Sequence, residues 1–172
     1  MKVVPAVDLE WLVDLVNGYA PQPRAEAGES DAAYPELDGA CQPVIASEVT
    51  AVSKVRLAER LWTVFAANVG ERVAELNALL HDSALTPEVD LDGRQYWATM
   101  HSDPDRRLAA GCTTALLGAV QTHGWDRLGI CDGIDCVDIY IDQQGRTKRR
   151  YCSTTCLNRA RVRQYRARHR HS

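Results

Sequence analysis

The sequence predicts an α+β protein in two parts. A mostly α-helical N-terminal part, residues 1–124, holds one small β-hairpin; a small C-terminal module, residues 125–172, is built of a knuckle, a β-hairpin and a helix. Three observations predict this. Several segments before residue 124 repeat apolar residues at three- and four-residue steps, the period of a half-buried helix. One Asp-Gly pair there is flanked by short apolar and aromatic runs, the mark of a hairpin. Past Gly124 the texture changes: four of the six cysteines fall within 26 residues, and the charge reverses. Residues 1–124 carry 9 Lys/Arg against 18 Asp/Glu, whereas residues 125–172 carry 11 against 5.

The elements follow in order. Asp8 precedes Leu9, Trp11, Leu12, Leu15, Val16 and Tyr19, which form one helical stripe ending near Asn17-Gly18. Residues 21–43, with four prolines and two glycines, read as a long loop. From about Ser47 to Asn68, Val52, Val55, Leu61, Trp62 and Phe65 mark a helix that Gly70 ends. Glu71–His81 is a shorter helix with Val73, Leu76, Leu79 and Leu80 inward. Val89–Leu91 and Gln95–Met100 flank Asp92-Gly93 as a hairpin. Asp103-Pro104, a cap followed by proline at the first helical position, opens a helix that runs to about Thr122 and stops at His123-Gly124.

In the C-terminal module, Ile130-Cys131 to Cys136 forms a tight turn. Val137–Asp142 alternates as a half-exposed strand, Gln143-Gln144-Gly145 turns, and Arg146–Tyr151 returns. Ser153 caps a final helix from about Thr154 to Arg170, on which Val162 and Tyr165 form a stripe suited to packing on the hairpin.

Composition narrows the functional classes. Hydrophobic residues at 45% and charged residues at 25% are the balance of a globular protein. No apolar run approaches the roughly 20 residues that span a bilayer. The opening Met1-Lys2-Val3-Val4-Pro5, with Asp8, Glu10 and Asp14 close behind, does not read as a signal peptide, so a cytoplasmic chain with no membrane association is expected.

In a reducing compartment, Cys131, Cys136, Cys152 and Cys156 are thiols rather than the two disulfides a secreted chain would suggest. Their pattern, C-x4-C, fifteen residues, C-x3-C, lets each pair wrap one side of a tetrahedral Zn²⁺. Four thiolates close the tetrahedron, so one structural zinc per chain is expected, with Arg149, Arg150 and Arg159 placed to offset the formal −2 of the site. Knuckle, hairpin and helix N-terminus is the order of a treble-clef module. A module this small draws much of its folding energy from the metal.

From Gln143 onward there are 10 basic residues and no acid. Arg159, Arg163, Arg166 and Arg170, at steps of four, three and four, form one row on the final helix. Lys148, Arg149 and Arg150 extend the footprint. Arginine forks to phosphate and to guanine, and a helix fits the major groove, so double-stranded DNA is the expected partner. Asn158 serves either as a base or phosphate contact or as a bond securing the knuckle. Arg159 reaches either a thiolate sulfur or DNA.

The stretch Cys131–Arg170, with Arg149-Arg150-Tyr151-Cys152-Ser153 and Cys156-Leu157-Asn158-Arg159, resembles the CGNR zinc finger. Residues Leu12-Val13-Asp14-Leu15-Val16-Asn17 resemble the ABATE domain that usually precedes it. Leu157 stands where the family has glycine, and the second Cys pair is one residue tighter than in many members. The resemblance implies a stress-induced bacterial transcription regulator whose N-terminal part, residues 1–124, regulates or dimerises, with a homodimer possible.

Residues 1–124 hold no catalytic constellation: His81 beside Asp82 and His101 near Asp103 and Asp105 read as surface neighbours, so an enzyme is not expected. Cys112 reads as a buried small hydrophobe, and Cys41 as a loop thiol. Trp11, Trp62 and Trp97 read as core. Two alternatives to DNA binding remain at this point: a zinc module that docks an acidic protein such as an RNA polymerase component, and a thiol redox sensor.

Overall fold

A computed structural model of the protein describes residues 1–37, 44–143 and 148–169. Cys41, the Gln144-Gly145 turn, Arg146 and Arg170 lie outside the described residues. The element order is β1 (Lys2–Val3), α1 (Leu9–Tyr19), α2 (Pro21–Glu26), a 3₁₀ turn (Val44–Glu48), α3 (Ala51–Ala66), α4 (Val69–Asp82), β2 (Leu85–Val89), β3 (Gln95–Thr99), α5 (Pro104–His123), a second 3₁₀ turn (Trp125–Arg127), β4 (Leu128–Ile130), β5 (Ile139–Ile141) and α6 (Thr154–His169).

Local chemistry sets the helix ends. Asp8 accepts from the N–H groups of Glu10 and Trp11 at the start of α1, and Asp103 accepts from Arg106 N–H while Pro104 opens α5. Gly124, at φ +83°, ends α5 in a conformation that a side chain disfavours. Asn68 and Glu71 form a reciprocal capping box, so α4 begins before Gly70 and contains it. Two small elements go beyond the sequence reading: Lys2–Val3 adds a strand, giving an antiparallel sheet in the order β1-β3-β2, and α2 folds inside the long loop.

Helices α1, α3, α4 and α5 pack around Leu12, Leu15, Val16, Leu61, Val64, Phe65, Leu108 and Leu116, all essentially inaccessible to solvent. Three expected core positions differ, one of them Trp97, which is half-buried on β3 and lies outside the core cluster. Val52 falls in the first turn of α3, just after the Thr50 cap, and is 61% exposed. Val73 is also exposed on α4. Trp62 is half-buried, and its indole N–H reaches out of the helical core to the C-terminal hairpin.

The core does not stop at Gly124. Leu128, Ile139 and Ile141 belong to the same buried cluster as Leu12, Leu15 and Leu61. Strands β4 and β5 pair antiparallel, Leu128 opposite Ile141 and Ile130 opposite Ile139. Thus the strand that pairs with β5 precedes the knuckle, and Lys148–Arg150, expected as the returning strand, carry no ladder. Nor is β5 half-exposed: Ile139, Tyr140 and Ile141 are all buried, because both faces of this hairpin are covered. One face lies in the core. On the other, the Tyr140 ring crosses Gly129 so closely that a Cβ there would sit 2.5 Å from its hydroxyl.

Polar ties bind the hairpin to the helices. The Asn17 side chain donates to Ile139 C=O (3.1 Å) and accepts from Ile139 N–H (2.8 Å). Trp62 Nε1 donates to Val137 C=O at 3.1 Å. The Arg72 guanidinium reaches Phe65 and Ala67 at the end of α3, and Trp125 and Leu128 in the connection into β4. Its burial lowers its pKa from the ordinary arginine value.

Candidate metal centre and basic helix

The four cysteines come from three places in the chain. Cys131 follows β4, where its N–H bonds Asp138 C=O and prolongs the hairpin ladder by one step. Cys136 closes the knuckle after Asp135, which adopts φ +55°, a left-handed conformation that Asp tolerates better than most residues. Cys152 lies just before α6, and Cys156 is in its first turn, where its N–H donates to the Ser153 hydroxyl at 3.2 Å. That bond makes Ser153 the N-cap.

The sulfurs converge. All four lie within 4.8 Å of one another, and Cys152 Sγ is 3.6 Å from both Cys136 Sγ and Cys156 Sγ. Tetrahedral Zn–S bonds of about 2.3 Å would set sulfurs about 3.8 Å apart, whereas a disulfide needs about 2.05 Å. The cluster therefore fits one Zn²⁺ and not paired cystines. Cys131, Cys136, Cys152 and Cys156 are free thiols positioned as its ligands, and zinc bound there would act as a structural cross-link between knuckle and helix.

The surroundings suit thiolates. Gly133 N–H and Cys152 N–H each donate to Cys131 Sγ at 3.3 Å, and Asp138 N–H donates to the Cys136 sulfur. Such N–H donors disperse the negative charge a four-thiolate site carries. Burial pushes the Cys136 thiol up to about 12 and raises Cys152 as well. For Cys156 burial also acts upward, but hydrogen bonds from Ser153 and the neighbouring thiols outweigh it and hold the group below its ordinary value. Burial thus opposes ionisation at Cys136 and Cys152, a cost that a cation joining the site would offset.

The basic residues expected to extend a nucleic-acid footprint fall into two groups. Lys148 pairs with Asp126 at 2.9 Å, and Arg150 with Asp132 at 2.8 Å. Arg149 bonds the carbonyls of Tyr151 and Cys152 and lies over the Tyr140 ring, 5.3 Å from its centre. All three brace the approach to Cys152. On α6, by contrast, Arg159, Arg161, Arg163, Arg166 and Arg168 are exposed and meet no carboxylate among the described residues. Asn158 is likewise exposed and its side chain makes no hydrogen bond among the described residues, and Arg159 reaches no sulfur. Val162 and Tyr165 do not pack on the hairpin: they are 49% and 64% exposed, because Cys156 is the only residue of α6 that is buried.

Sequence reasoning missed the group that anchors the centre to the helices. Asn17 read as a helix end and Trp62 as core, yet they bond the backbone of Ile139 and Val137, in the stretch that follows Cys136. An open cleft runs between α1 and the knuckle, with Glu10 and Asp14 on one wall and Arg149 and Arg159 on the other.

Comparison with known proteins agrees with this geometry. Residues 127–169 match the CGNR zinc finger family, and that stretch begins at the last residue of the turn into β4 and ends with α6. Among curated proteins, none matches the chain.

Proposed function

We propose that this protein is a zinc-containing, DNA-binding transcription regulator of the cytoplasm, in which a structural zinc held by four cysteines presents an arginine helix to duplex DNA. One observation carries the reading: a helix fixed at its N-terminus by two metal ligands bears five exposed arginines with no acidic partner among the described residues. Unpaired guanidinium groups held in a fixed geometry are what phosphate recognition requires. The surface from α1 to α5 is acidic, with a net charge of −9 over residues 1–124, and would repel the same phosphates, which orients the molecule with α6 toward the duplex.

By its resemblance to an ABATE domain, the helical part is the regulatory element, serving stress-linked control and homodimer formation rather than catalysis. The test is metal analysis followed by a salt titration of duplex binding by the full chain. One zinc per molecule is expected, with log affinity falling linearly in log salt; the double variant R163Q/R166Q should reduce the slope by about two. Duplex affinity that is absent, or unaltered in the double variant, overturns the proposal. In that case retention of an acidic RNA polymerase component would identify the alternative partner.

A further inference from the structure

Helix α6 has an internal order that net charge does not explain. Asn158, Val162, Tyr165 and His169 follow steps of four, three and four and so share one stripe. The Tyr165 and His169 rings stack, with centres 4.1 Å apart, which broadens the flat surface at its far end. On one side of the stripe lie Arg159, Arg163 and Arg166; on the other lie Arg161 and Arg168, seven residues apart. With about 100° per residue, the buried Cys156 points nearly opposite Tyr165, so Tyr165 faces away from the metal centre, while Asn158 and Val162 border an open cleft with Ile134 of the knuckle.

A half-exposed valine and a largely exposed tyrosine on a helix this charged leave apolar surface open to a partner. From Arg161 to His169 every residue is exposed, so about 13 Å of helix stands clear of the fold. That length, with a helix diameter of about 10–12 Å, matches insertion into a major groove about 12 Å wide.

We infer that Asn158, Val162 and Tyr165 form the face that reads base edges in the major groove, while the arginines on either flank hold the phosphates of the two strands. The inference rests on the DNA-binding reading above and assigns what that reading leaves open, the residues that select sequence. Asn158 has the paired donor and acceptor that match the N6 and N7 of adenine, and Val162 offers an apolar surface to a thymine methyl. The recognised site is therefore expected to contain A·T pairs where Asn158 and Val162 approach.

The test uses the zinc-loaded full chain and two duplex probes: a randomised pool from which preferred sites are selected, and one fixed duplex of arbitrary sequence. The wild type should select a consensus. Asn158→Ala should lower preference for adenine at one position by about 5- to 150-fold, and Val162→Ser should lower preference for thymine at another. Both should keep their salt-dependent affinity for the fixed duplex. The flanking variant R161Q/R168Q should keep the consensus and lose about two from the salt slope. An unchanged consensus in the Asn158 and Val162 variants overturns this inference and leaves DNA binding standing, as does a wild type that binds the fixed duplex but selects nothing. A wild type that binds neither duplex removes the DNA reading itself.

Discussion

Asn17 and Ile139 are joined as two residues of neighbouring strands would be: one amide side chain from α1 satisfies both the N–H and the C=O that β5 turns away from β4. An open sheet edge normally costs a protein either solvent access or an unwanted pairing partner. Here a single helical side chain closes it and at the same time registers the zinc module against the helices.

Asn17→Ala should therefore destabilise the protein by about 1–3 kcal/mol, since it leaves two half-buried backbone groups unpaired. Asn17→Asp should do likewise, because a carboxylate can accept from Ile139 N–H but faces the Ile139 carbonyl without a proton to give. The denaturation midpoint checks this. A midpoint equal to wild type in both variants would mean that the contact contributes nothing.

Metal removal should reach beyond the module. Leu128, Ile139 and Ile141 share a core with α1 and α3, and Trp62 bonds the backbone next to Cys136. Structural zinc in small modules binds with about 10–16 kcal/mol at neutral pH, more than the whole stability of most domains. Chelation should consequently cost more helical signal than the 16 residues of α6 alone supply, and Trp62 fluorescence should shift with metal loss. Loss confined to α6, with Trp62 unchanged, would show that the helical part is autonomous.

Much of this architecture was legible in the residues, and the legible parts are those set by local chemistry. Asp8, Asp103 and Ser153 announce their helices because a cap is a contact between residues two or three apart. Four cysteines announce the metal centre because each pair, four or five residues apart, already has ligand spacing. What escaped reading depends on distant partners. Leu128–Ile130 is too short to alternate, so nothing local shows that it, and not Lys148–Arg150, pairs with β5. A basic residue displays its charge in the sequence but not its counter-ion: Lys148, Arg149 and Arg150 look like the α6 arginines until Asp126, Tyr140 and Asp132 are placed beside them. Val162 and Tyr165 resemble core residues until the helix proves to stand clear.

That distinction separates the arginines experimentally. Arg149 holds the carbonyls of Tyr151 and Cys152 and covers Tyr140, so its planar fork matters more than its charge. Arg149→Lys should weaken zinc retention against a chelator by about tenfold or more, the effect typical of a lost partner around a metal ligand. Arg163→Lys should leave zinc retention unchanged. Equal retention in the two variants would place Arg149 with the exposed arginines instead.

Cys112 yields the last expectation, a dependence of stability on pH. It is fully buried on α5, and burial pushes its thiol from 9.0 up to about 12. The folded protein therefore holds this proton over a range in which the unfolded chain releases it. The sign follows from linkage: the contribution is complete below pH 9 and declines as pH rises toward 12, because the unfolded state is then the one that gains by ionising. The decline should approach about 1.4 kcal/mol per pH unit. Cys112→Ala, which cannot ionise, should differ from wild type by a constant amount below pH 9 and by a shrinking amount above it. Denaturation midpoints measured for both proteins across that range decide the point, and parallel curves throughout would show that Cys112 ionises as readily in the fold as in the open chain.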